Sequence, residues 1–266
     1  MKVDTNVSGL TNLKRRLRIL FPGGAGRKVV LRMRELLGFI NSANLPKLAV
    51  IYGTDKWGVH WYAKHYANHF RHLRRKKIVV FEIGVGGYED PTAGGGSLRM
   101  WRRYFSRAVI VGLDYFDKSP HAEKRIRIYQ GDQSDHELLK KIVAEVGRPH
   151  IIIDDGSHEN RHVLASFETL FPLLDDNGIY VVEDTQTAYW PDAGGLRDVD
   201  HNDLSTSMNY LKALTDGINH SEFRRPDYVP SYTDKNIVSM SFYHNLVFIQ
   251  KGANDEASNL PNATAV

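Results

Sequence analysis

From residue 78 onward, short apolar runs rich in β-branched residues alternate with stretches of helical spacing. These runs predict seven strands, at 78–83, 108–114, 126–130, 150–154, 178–183, 236–242 and 245–251. The spacing between them predicts helices at 97–105, 136–147 and 159–173. Strands that alternate with helices run parallel and are joined by right-handed crossovers. The pattern therefore predicts an α/β fold: a Rossmann-like, doubly wound, mostly parallel sheet that ends in an antiparallel strand pair.

The residues before this region predict a helical N-terminal extension over 1–50. Apolar residues recur at helical spacing in 10–20 and in 27–42, and the Pro/Gly-rich stretch between them breaks the pattern. A further helix is expected at 60–73, inside a main domain that spans 51–252.

Two later segments lack periodic apolar runs. Residues 185–235 are rich in Gly, Pro, Asp and Tyr, and so long an irregular stretch predicts a functional lid or acceptor-binding region. The final residues, 253–266, are polar and predict a disordered tail.

The composition excludes several kinds of protein. With no cysteine, the chain has no disulfide framework, no thiolate nucleophile and no cysteine-based zinc site. Its net charge of +4 is too small to imply nucleic acid as a partner, and we expect none. The sequence has no apolar run of about 18 residues and no signal-peptide core, so we expect a cytoplasmic protein without a transmembrane segment. The basic run 71–77 is either a solvated face or a contact for an anionic surface or substrate.

The first predicted strand ends in a glycine-rich loop, FEIGVGGYEDPTAGGGS. In an open parallel sheet, ligands bind beyond the carboxyl ends of the strands, where glycine lets the backbone approach closely. Gly84 and Gly86 fit a dinucleotide fingerprint, but Glu89 stands in place of the third glycine, and the helix is expected only near Ser97. Glu82 instead predicts a partner for a cation such as an amino group.

Acidic residues also end the next two strands. Asp114 lies where a carboxylate can accept both ribose hydroxyls, and Asp132 lies where one can accept the exocyclic amine of adenine. Each is equally typical of a turn or a helix cap when taken alone. Together with Glu82, Gly84 and Gly86, they indicate a site for an adenosine joined to an amino acid, which is S-adenosylmethionine rather than NAD.

The fourth and fifth strands end in IIIDDGSH and VVEDTQT. Because parallel neighbours bring these ends together, we expect five side chains to converge: Asp154, Asp155, His158, Glu183 and Asp184. Carboxylates this close repel one another unless a cation joins them, and oxygen ligands favour a hard ion: Mg²⁺, or alternatively Mn²⁺ or Ca²⁺. A hydroxyl bound beside such an ion becomes more acidic, and an imidazole can accept its proton. Alternatively, DDG is a simple turn, ED is a helix cap and His158 is a structural hydrogen-bonding residue.

Several blocks in order resemble the metal-dependent sugar O-methyltransferases of the mycinamicin VI 2''-O-methyltransferase type. They are YGTDKWGVHWYAKHYANHF, FEIGVGGY, GGGSLRMWRRYF, GLDYFDKS, GDQSD, IIDDGSH and VVEDTQTAYWP, and the similarity covers about residues 50–220. It implies a class I methyltransferase fold, with 51–252 as the S-adenosylmethionine-dependent domain. Members of this type have a further N-terminal domain, so their oligomer architecture does not carry over.

The resemblance also implies residue roles. By position, Asp155, Glu183 and Asp184 would hold Mg²⁺, and His158 would be the general base of a catalytic pair with Asp155. Glu82 and Asp114 would bind S-adenosylmethionine.

Further candidates surround these motifs. The candidate cofactor-binding residues also include Gly84, Gly86, Asp132, Thr54, Lys56, Ser97, Arg99, Gln133 and Asp154. Asp154 either faces the cofactor or supports the turn, and the sequence leaves both open. The candidate acceptor-binding residues lie in the predicted lid: Gln186, Thr187, Tyr189, Trp190 and His201. The rings of Tyr189 and Trp190 either stack against a sugar or anchor the lid.

The reaction these features predict is methyl transfer from S-adenosylmethionine to a sugar hydroxyl, with Mg²⁺ required. The acceptor is expected to be a glycosylated natural product, or a rhamnoside or mannoside of a glycan, and the protein a homo-oligomer. A catechol or phenolic O-methyltransferase shares the cofactor and the metal, and a non-catalytic S-adenosylmethionine-binding protein is the other alternative. A nicotinamide oxidoreductase is disfavoured by Glu89 and by the surplus of carboxylates.

Overall fold

The computed structural model describes residues 24–195 and 203–259. The chain forms two compact units, which we call the helical unit and the sheet unit. The helical unit comprises the chain up to Lys77 together with Gly94–Ala108, and the sheet unit comprises Ile78–Ala93 and the chain from Val109 onward. The domain boundary at residue 50 stays a prediction.

Four helices build the described part of the helical unit: α1 (Gly24–Ile40), α2 (Leu45–Tyr52), α3 (Ala63–Phe70) and α4 (Gly96–Tyr104). Helix α1 and helix α4 were predicted at 27–42 and 97–105. The helix predicted at 60–73 is shorter, since α3 begins at Ala63 and its last turn, 71–73, is a 3₁₀ helix. Buried aromatic rings fill the core of this unit, with Trp101 of α4 against Tyr66 and Phe70 of α3.

Helix α2 was not predicted. Asn44 caps it by accepting a hydrogen bond from the backbone N–H of Lys47, and Gly53 ends it with a left-handed φ of 74°. The helix predicted at 10–20 lies outside the described residues. None of the helices in the described ranges is long and apolar enough to cross a membrane.

The sheet unit confirms all seven predicted strands, with every end within one residue of its prediction. They are β1 (Val79–Ile83), β2 (Val109–Asp114), β3 (Ile126–Gln130), β4 (Ile151–Asp154), β5 (Ile179–Glu183), β6 (Ile237–Tyr243) and β7 (Leu246–Lys251). They form one sheet in the order β3-β2-β1-β4-β5-β7-β6. The first five are parallel, and β7 is antiparallel to both of its neighbours. The chain has a class I methyltransferase fold.

Helices α5 (His136–Val146) and α6 (Asn160–Leu173) confirm the two predictions made for this unit. Asp135 caps α5 by accepting from two backbone N–H groups, and the buried ammonium of Lys251 donates to carbonyls at the end of α6. Two further helices, α7 (Ser207–Gly217) and α8 (Tyr232–Asn236), lie inside the segment for which the sequence predicted an irregular lid.

The strand order places β1 between β2 and β4, and this reversal is the switch point where such sheets bind ligands. Strand β4 is buried on both faces, and its three isoleucines, Ile151–Ile153, are core residues as predicted. The polar residues that follow β1, β2, β4 and β5 therefore emerge at one edge of a rigid core.

Residues 253–259 extend beyond β7 into the segment for which the sequence predicted disorder. The side-chain amide of Asn254 donates to the carbonyls of Ile218 and Asp234, at 3.0 and 2.7 Å. The hydroxyl of Ser258 donates to Glu222 at 2.8 Å. These bonds hold the first part of the predicted tail on the sheet unit.

Candidate active site

The loop after β1 lies close against the turn after β4. Gly84 has a φ of 92°, and a Cβ built on it would lie 1.9 Å from the carbonyl oxygen of Asp155. Only glycine fits this position, because a side chain would collide with backbone and strain the left-handed conformation. Gly86 also has a positive φ, of 79°. The glycines therefore let the first loop reach the DDGSH turn.

The carboxylate of Asp114 fixes this same loop. One oxygen accepts from the backbone N–H of Val85 at 2.8 Å, and the other accepts from that of Phe116 at 3.0 Å. Each oxygen has a second lone pair that a ribose hydroxyl can use. Its role in a turn and its predicted role in cofactor binding are therefore compatible.

Asp132 is held in a similar way at the end of β3. Its carboxylate accepts from both the backbone N–H and the hydroxyl of Ser134, each at 2.7 Å. These hydrogen bonds lower the pKa of Asp132, so the group is ionised at neutral pH.

The acidic residues after β1, β4 and β5 form two overlapping groups that share Asp155. Ligand atoms of Glu82, Asp155 and Glu183 lie within 4.8 Å of one another, and so do those of Asp155, His158 and Asp184. Glu82 and Glu183 are buried, at 0% and 3% exposure, and Asp155 and Asp184 are partly exposed. The donor set is rich in carboxylate oxygen and fits a hard cation such as Mg²⁺.

Sequence reasoning had assigned Glu82 to the cofactor alone. Its position beside Asp155 and Glu183 shows that it also belongs to the carboxylate cluster. Because β1 and β4 are paired neighbours in the sheet, their ends lie side by side. The position of Glu82 follows from the strand order, which cannot be read directly from the sequence.

His158 lies at the open side of the cluster. Its Nε2 atom is 3.6 Å from an oxygen of Asp184 and 3.9 Å from one of Asp155. Both His158 and Asp184 have left-handed backbones, with φ of 59° and 51°. Such conformations cost on the order of 1–3 kcal/mol in residues other than glycine and concentrate at functional sites.

Asp154 points into the protein. It is buried, and its carboxylate accepts from Gln133 Nε2 at 3.1 Å and from the hydroxyl of Tyr180 at 3.5 Å. Burial raises the pKa of Asp154 to about 6. Of the two roles that the sequence left open, these contacts favour support of the turn.

Gln133 is likewise buried and makes its hydrogen bonds inside the sheet unit. Besides Asp154, its amide donates to Ser166 at 3.0 Å and accepts from the backbone N–H of Ser157 at 2.7 Å. These contacts are with the end of β4, the turn after it and α6, whereas the sequence predicted contacts with the cofactor.

The candidate acceptor residues follow β5 in a 3₁₀ helix, Thr185–Tyr189. Within the described residues, Gln186 Oε1 is buried without a hydrogen-bond partner, whereas Thr187 donates to the carbonyl of Asp184 at 3.2 Å. Tyr189 and Trp190 are 41% and 50% exposed, so their rings are accessible to a ligand. His201 lies outside the described residues.

Asn160 is a polar residue that sequence reasoning missed. At the first position of α6 it is buried, donates to the carbonyl of Ala193 at 3.1 Å and accepts from Ser207 at 2.7 Å. It thereby attaches two parts of the predicted acceptor region to the helix that follows His158.

The other candidate cofactor residues belong to the helical unit. The hydroxyl of Thr54 accepts from the backbone N–H of Lys56 at 3.2 Å, and Lys56 is buried. Arg99 donates to the carbonyl of Gly95 at 3.1 Å, and Ser97 lies in the first turn of α4. Their part in cofactor binding stays a prediction.

No protein-family model matches the chain. Two relatives are O-methyltransferases. The 8-demethyl-8-alpha-L-rhamnosyl tetracenomycin-C 2'-O-methyltransferase of Streptomyces olivaceus is 47% identical, over 84% of this chain and 59% of the relative. The mycinamicin VI 2''-O-methyltransferase of Micromonospora griseorubida is 49% identical, over 80% of this chain and 54% of the relative. The chain thus spans little more than half the length of these relatives.

Solved structures of the MycE methyltransferase are similar as well. The complex with Mg and SAH has a TM-score of 0.78 at 49% identity, and the match covers 80% of this chain and 56% of that one. The complex that also contains mycinamycin VI has a TM-score of 0.79 at 48% identity, with 84% and 56% covered.

Proposed function

The chain belongs to the family of sugar O-methyltransferases of the mycinamicin VI 2''-O-methyltransferase type, and on that premise we propose that it methylates a sugar hydroxyl with S-adenosylmethionine. The observation that carries the proposal is the convergence of Asp155, His158 and Asp184 at the carboxyl ends of β4 and β5. The imidazole that can accept a proton and the carboxylates that can bind a hard cation thus lie within 4.8 Å of one another. They are next to the glycine-rich loop after β1.

Mg²⁺ would be held by Asp155, Glu183 and Asp184. Ligand atoms of Asp155 and Glu183 lie within 4.8 Å of each other in one group, and those of Asp155 and Asp184 do so in the other. When bound there, the ion lowers the pKa of an adjacent hydroxyl and orients it. Glu82 adds a fourth carboxylate at the buried side of the cluster, toward the loop that would hold the methionyl amino group. The relatives' structures with Mg and SAH support both ligands.

His158 acts as the general base. Its Nε2 accepts the proton of the acceptor hydroxyl as that oxygen attacks the methyl carbon. The C–S bond breaks, its electron pair stays on sulfur, and S-adenosylhomocysteine and a methyl ether result. The Nε2 atom of His158 lies 3.9 and 3.6 Å from oxygens of Asp155 and Asp184, so the base is beside the proposed metal ligands.

The cofactor lies across the switch point. Asp114 accepts the ribose hydroxyls, Asp132 accepts the adenine amine, and Gly84 and Gly86 allow close backbone approach. Alignment of the sulfonium methyl with the acceptor oxygen supplies much of the rate enhancement.

The acceptor is a hydroxyl of a deoxysugar on a glycosylated natural product. The exposed rings of Tyr189 and Trp190 offer apolar faces for a sugar, and Gln186 offers a hydrogen-bond acceptor. The names of the relatives support this class of substrate over a catechol.

We further propose a cytoplasmic homo-oligomer that binds no nucleic acid. Exposed apolar side chains at helical spacing on α1, Val29, Leu36 and Ile40, support an interface with a second copy. The mild net charge of +4 supports the absence of a nucleic-acid partner. Light scattering on the purified protein tests the oligomeric state, and a monomer would contradict this part of the proposal.

Incubation with S-adenosylmethionine, Mg²⁺ and a panel of acceptors tests the activity. The panel comprises rhamnosides, mannosides, glycosylated polyketides and catechols, and mass spectrometry detects the added methyl group. We expect a glycoside to be methylated. Methylation of catechols alone would show that the protein is a phenolic O-methyltransferase. Cofactor binding without methylation of any acceptor would favour a non-catalytic protein.

A further inference from the structure

Gln133 connects three elements of the sheet unit. It lies in the loop between β3 and α5, and its side chain reaches the end of β4, the turn after β4 and helix α6. It donates to Asp154 and Ser166 at 3.1 and 3.0 Å and accepts from the backbone N–H of Ser157 at 2.7 Å. This one amide therefore joins both sides of the DDGSH turn.

The orientation of this amide is set by its partners. The Ser157 N–H is a donor only and must face Oε1, while the carboxylate of Asp154 must face the NH₂ group. The geometry is therefore specific to glutamine. A glutamate would turn a second acceptor toward Asp154, and an apolar side chain would leave both groups without this partner.

Each of the two bonds acts on the residue just before one member of the proposed catalytic pair. Asp154 immediately precedes Asp155, and Ser157 immediately precedes His158. Between them, a Cβ built on Gly156 would lie 2.2 Å from Gln133 Oε1, so the backbone of the turn rests directly on the amide. The turn has no room to shift toward Gln133, and the hydrogen bonds oppose a shift away from it.

The backbone of His158 needs such support. Its φ of 59° is a strained conformation, which persists only where surrounding contacts hold it. The hydrogen bond to Ser157 N–H holds the peptide unit that joins Gly156 to Ser157, one unit before the peptide bond of His158. Gln133, Asp154 and Ser166 are all buried, so water competes little for these bonds.

We propose that Gln133 is a positioning residue that sets the orientation of Asp155 and His158 through the DDGSH turn. The expected effect on kcat rests on the proposed function, whereas the expected effect on metal affinity does not. It differs from direct contact with S-adenosylmethionine, which the sequence predicted for Gln133.

The experiment compares wild type with Gln133→Met and Gln133→Glu. Methionine has a similar length but makes neither bond, whereas glutamate still accepts from Ser157. The matched control is Ser166→Ala, which removes the third partner of the amide and leaves both bonds to the turn. Mn²⁺ affinity by electron paramagnetic resonance and S-adenosylhomocysteine affinity by calorimetry are measured without turnover, and kcat is measured with acceptor and Mg²⁺.

We expect Mn²⁺ affinity to fall about 10-fold or more in Gln133→Met and less in Gln133→Glu, because supporting residues around metal ligands have effects of this size. We expect kcat to fall roughly 100-fold in Gln133→Met, since small misplacements of reacting groups cost this much. S-adenosylhomocysteine affinity should change less than about 3-fold, and Ser166→Ala should resemble wild type in all three measurements.

A loss of S-adenosylhomocysteine affinity with unchanged Mn²⁺ affinity would overturn the proposal and assign Gln133 to the cofactor. Unchanged Mn²⁺ affinity and kcat in both variants would overturn it as well. If Gln133→Met does not fold, Gln133→Glu decides alone by the same criteria. If wild type methylates no acceptor, the proposed function fails, and the Mn²⁺ measurement still decides the role of Gln133.

Discussion

Carboxylates lie after β2 and β3 on one side of the switch point and after β4 and β5 on the other. The neighbours of these carboxylates differ between the two sides. Asp114 and Asp132 each accept hydrogen bonds from nearby donors of the protein, at 2.7 to 3.0 Å. Asp155 shares one group of ligand atoms with Glu82 and Glu183 and a second with His158 and Asp184, each within 4.8 Å.

The first pair suits a neutral group, the adenosine part of the cofactor. The second set suits a divalent cation. Asp114 and Asp132 already accept hydrogen bonds from the protein, and their remaining lone pairs can accept from the hydroxyls and amine of an adenosine. The convergent carboxylates raise one another's energy, and a divalent cation removes that repulsion. We therefore expect mutations after β2 and β3 to change cofactor binding and mutations after β4 and β5 to change metal binding.

The largest effect is expected for Asp155→Asn, because Asp155 belongs to both carboxylate groups. Loss of several kcal/mol of metal-dependent stabilisation corresponds to a fall in turnover on the order of 10³-fold. S-adenosylhomocysteine affinity, measured by calorimetry, should change little. The exposed Asp216→Asn, which makes the same chemical change on α7, is the control and should behave as wild type. Wild-type Mg²⁺ affinity in Asp155→Asn would remove this residue from the ligand set.

His158→Ala should have the next largest effect. General-base catalysis contributes roughly 10²–10⁴-fold, so kcat should fall within that range while cofactor affinity stays unchanged. The control His162→Ala removes a neighbouring imidazole that contacts Ser157 and lies outside the two carboxylate groups. Turnover of His158→Ala equal to that of wild type would exclude this residue as the base.

Asp114→Asn tests the cofactor side. Asparagine keeps one acceptor oxygen but loses the charge, and one charge-assisted hydrogen bond contributes about 1.5–3 kcal/mol. S-adenosylhomocysteine affinity should therefore fall at least about 10-fold in calorimetry. The Mg²⁺ concentration that gives half-maximal activity should not change. A changed Mg²⁺ requirement with unchanged cofactor affinity would contradict the separation of cofactor binding from metal binding.

The smallest effect is expected for Trp190→Ala in the acceptor region. Loss of an aromatic contact of about 1 kcal/mol should raise the acceptor KM roughly 5-fold and leave kcat at saturation nearly unchanged. Phe242→Ala on β6 removes another exposed aromatic ring and serves as the control. An unchanged KM would favour the other interpretation of Trp190, as a residue that anchors the region.

The strands and their main helices could be predicted because local composition dictates them. Apolar β-branched runs such as Ile151–Ile153 are typical of strands buried on both faces. Their alternation with helices predicted that the strands run parallel. Helix α2 and helix α7 were missed because short or mostly polar helices carry a weak periodic signal.

Most of the carboxylate cluster was predictable because strand ends meet at one edge of a parallel sheet. The prediction was wrong in including Asp154, which is in neither group, and in leaving out Glu82. The support for the DDGSH turn was not predictable. Gln133 and Asp154 are 21 residues apart, and Asn160 and Ser207 are 47 apart, so only the folded chain brings these partners together. A buried amide that holds a turn has no local pattern that distinguishes it from one that contacts a ligand.

Methyl transfer by protein stripped of metal with EDTA tests the central claim most directly. The treated protein is assayed by mass spectrometry with S-adenosylmethionine and a glycosylated acceptor, before and after Mg²⁺ is restored. We expect no methylation without metal, recovery of methylation with Mg²⁺, and the same S-adenosylhomocysteine affinity in both states. Equal methylation with and without the ion would contradict a site in which Asp155, Glu183 and Asp184 act through a cation.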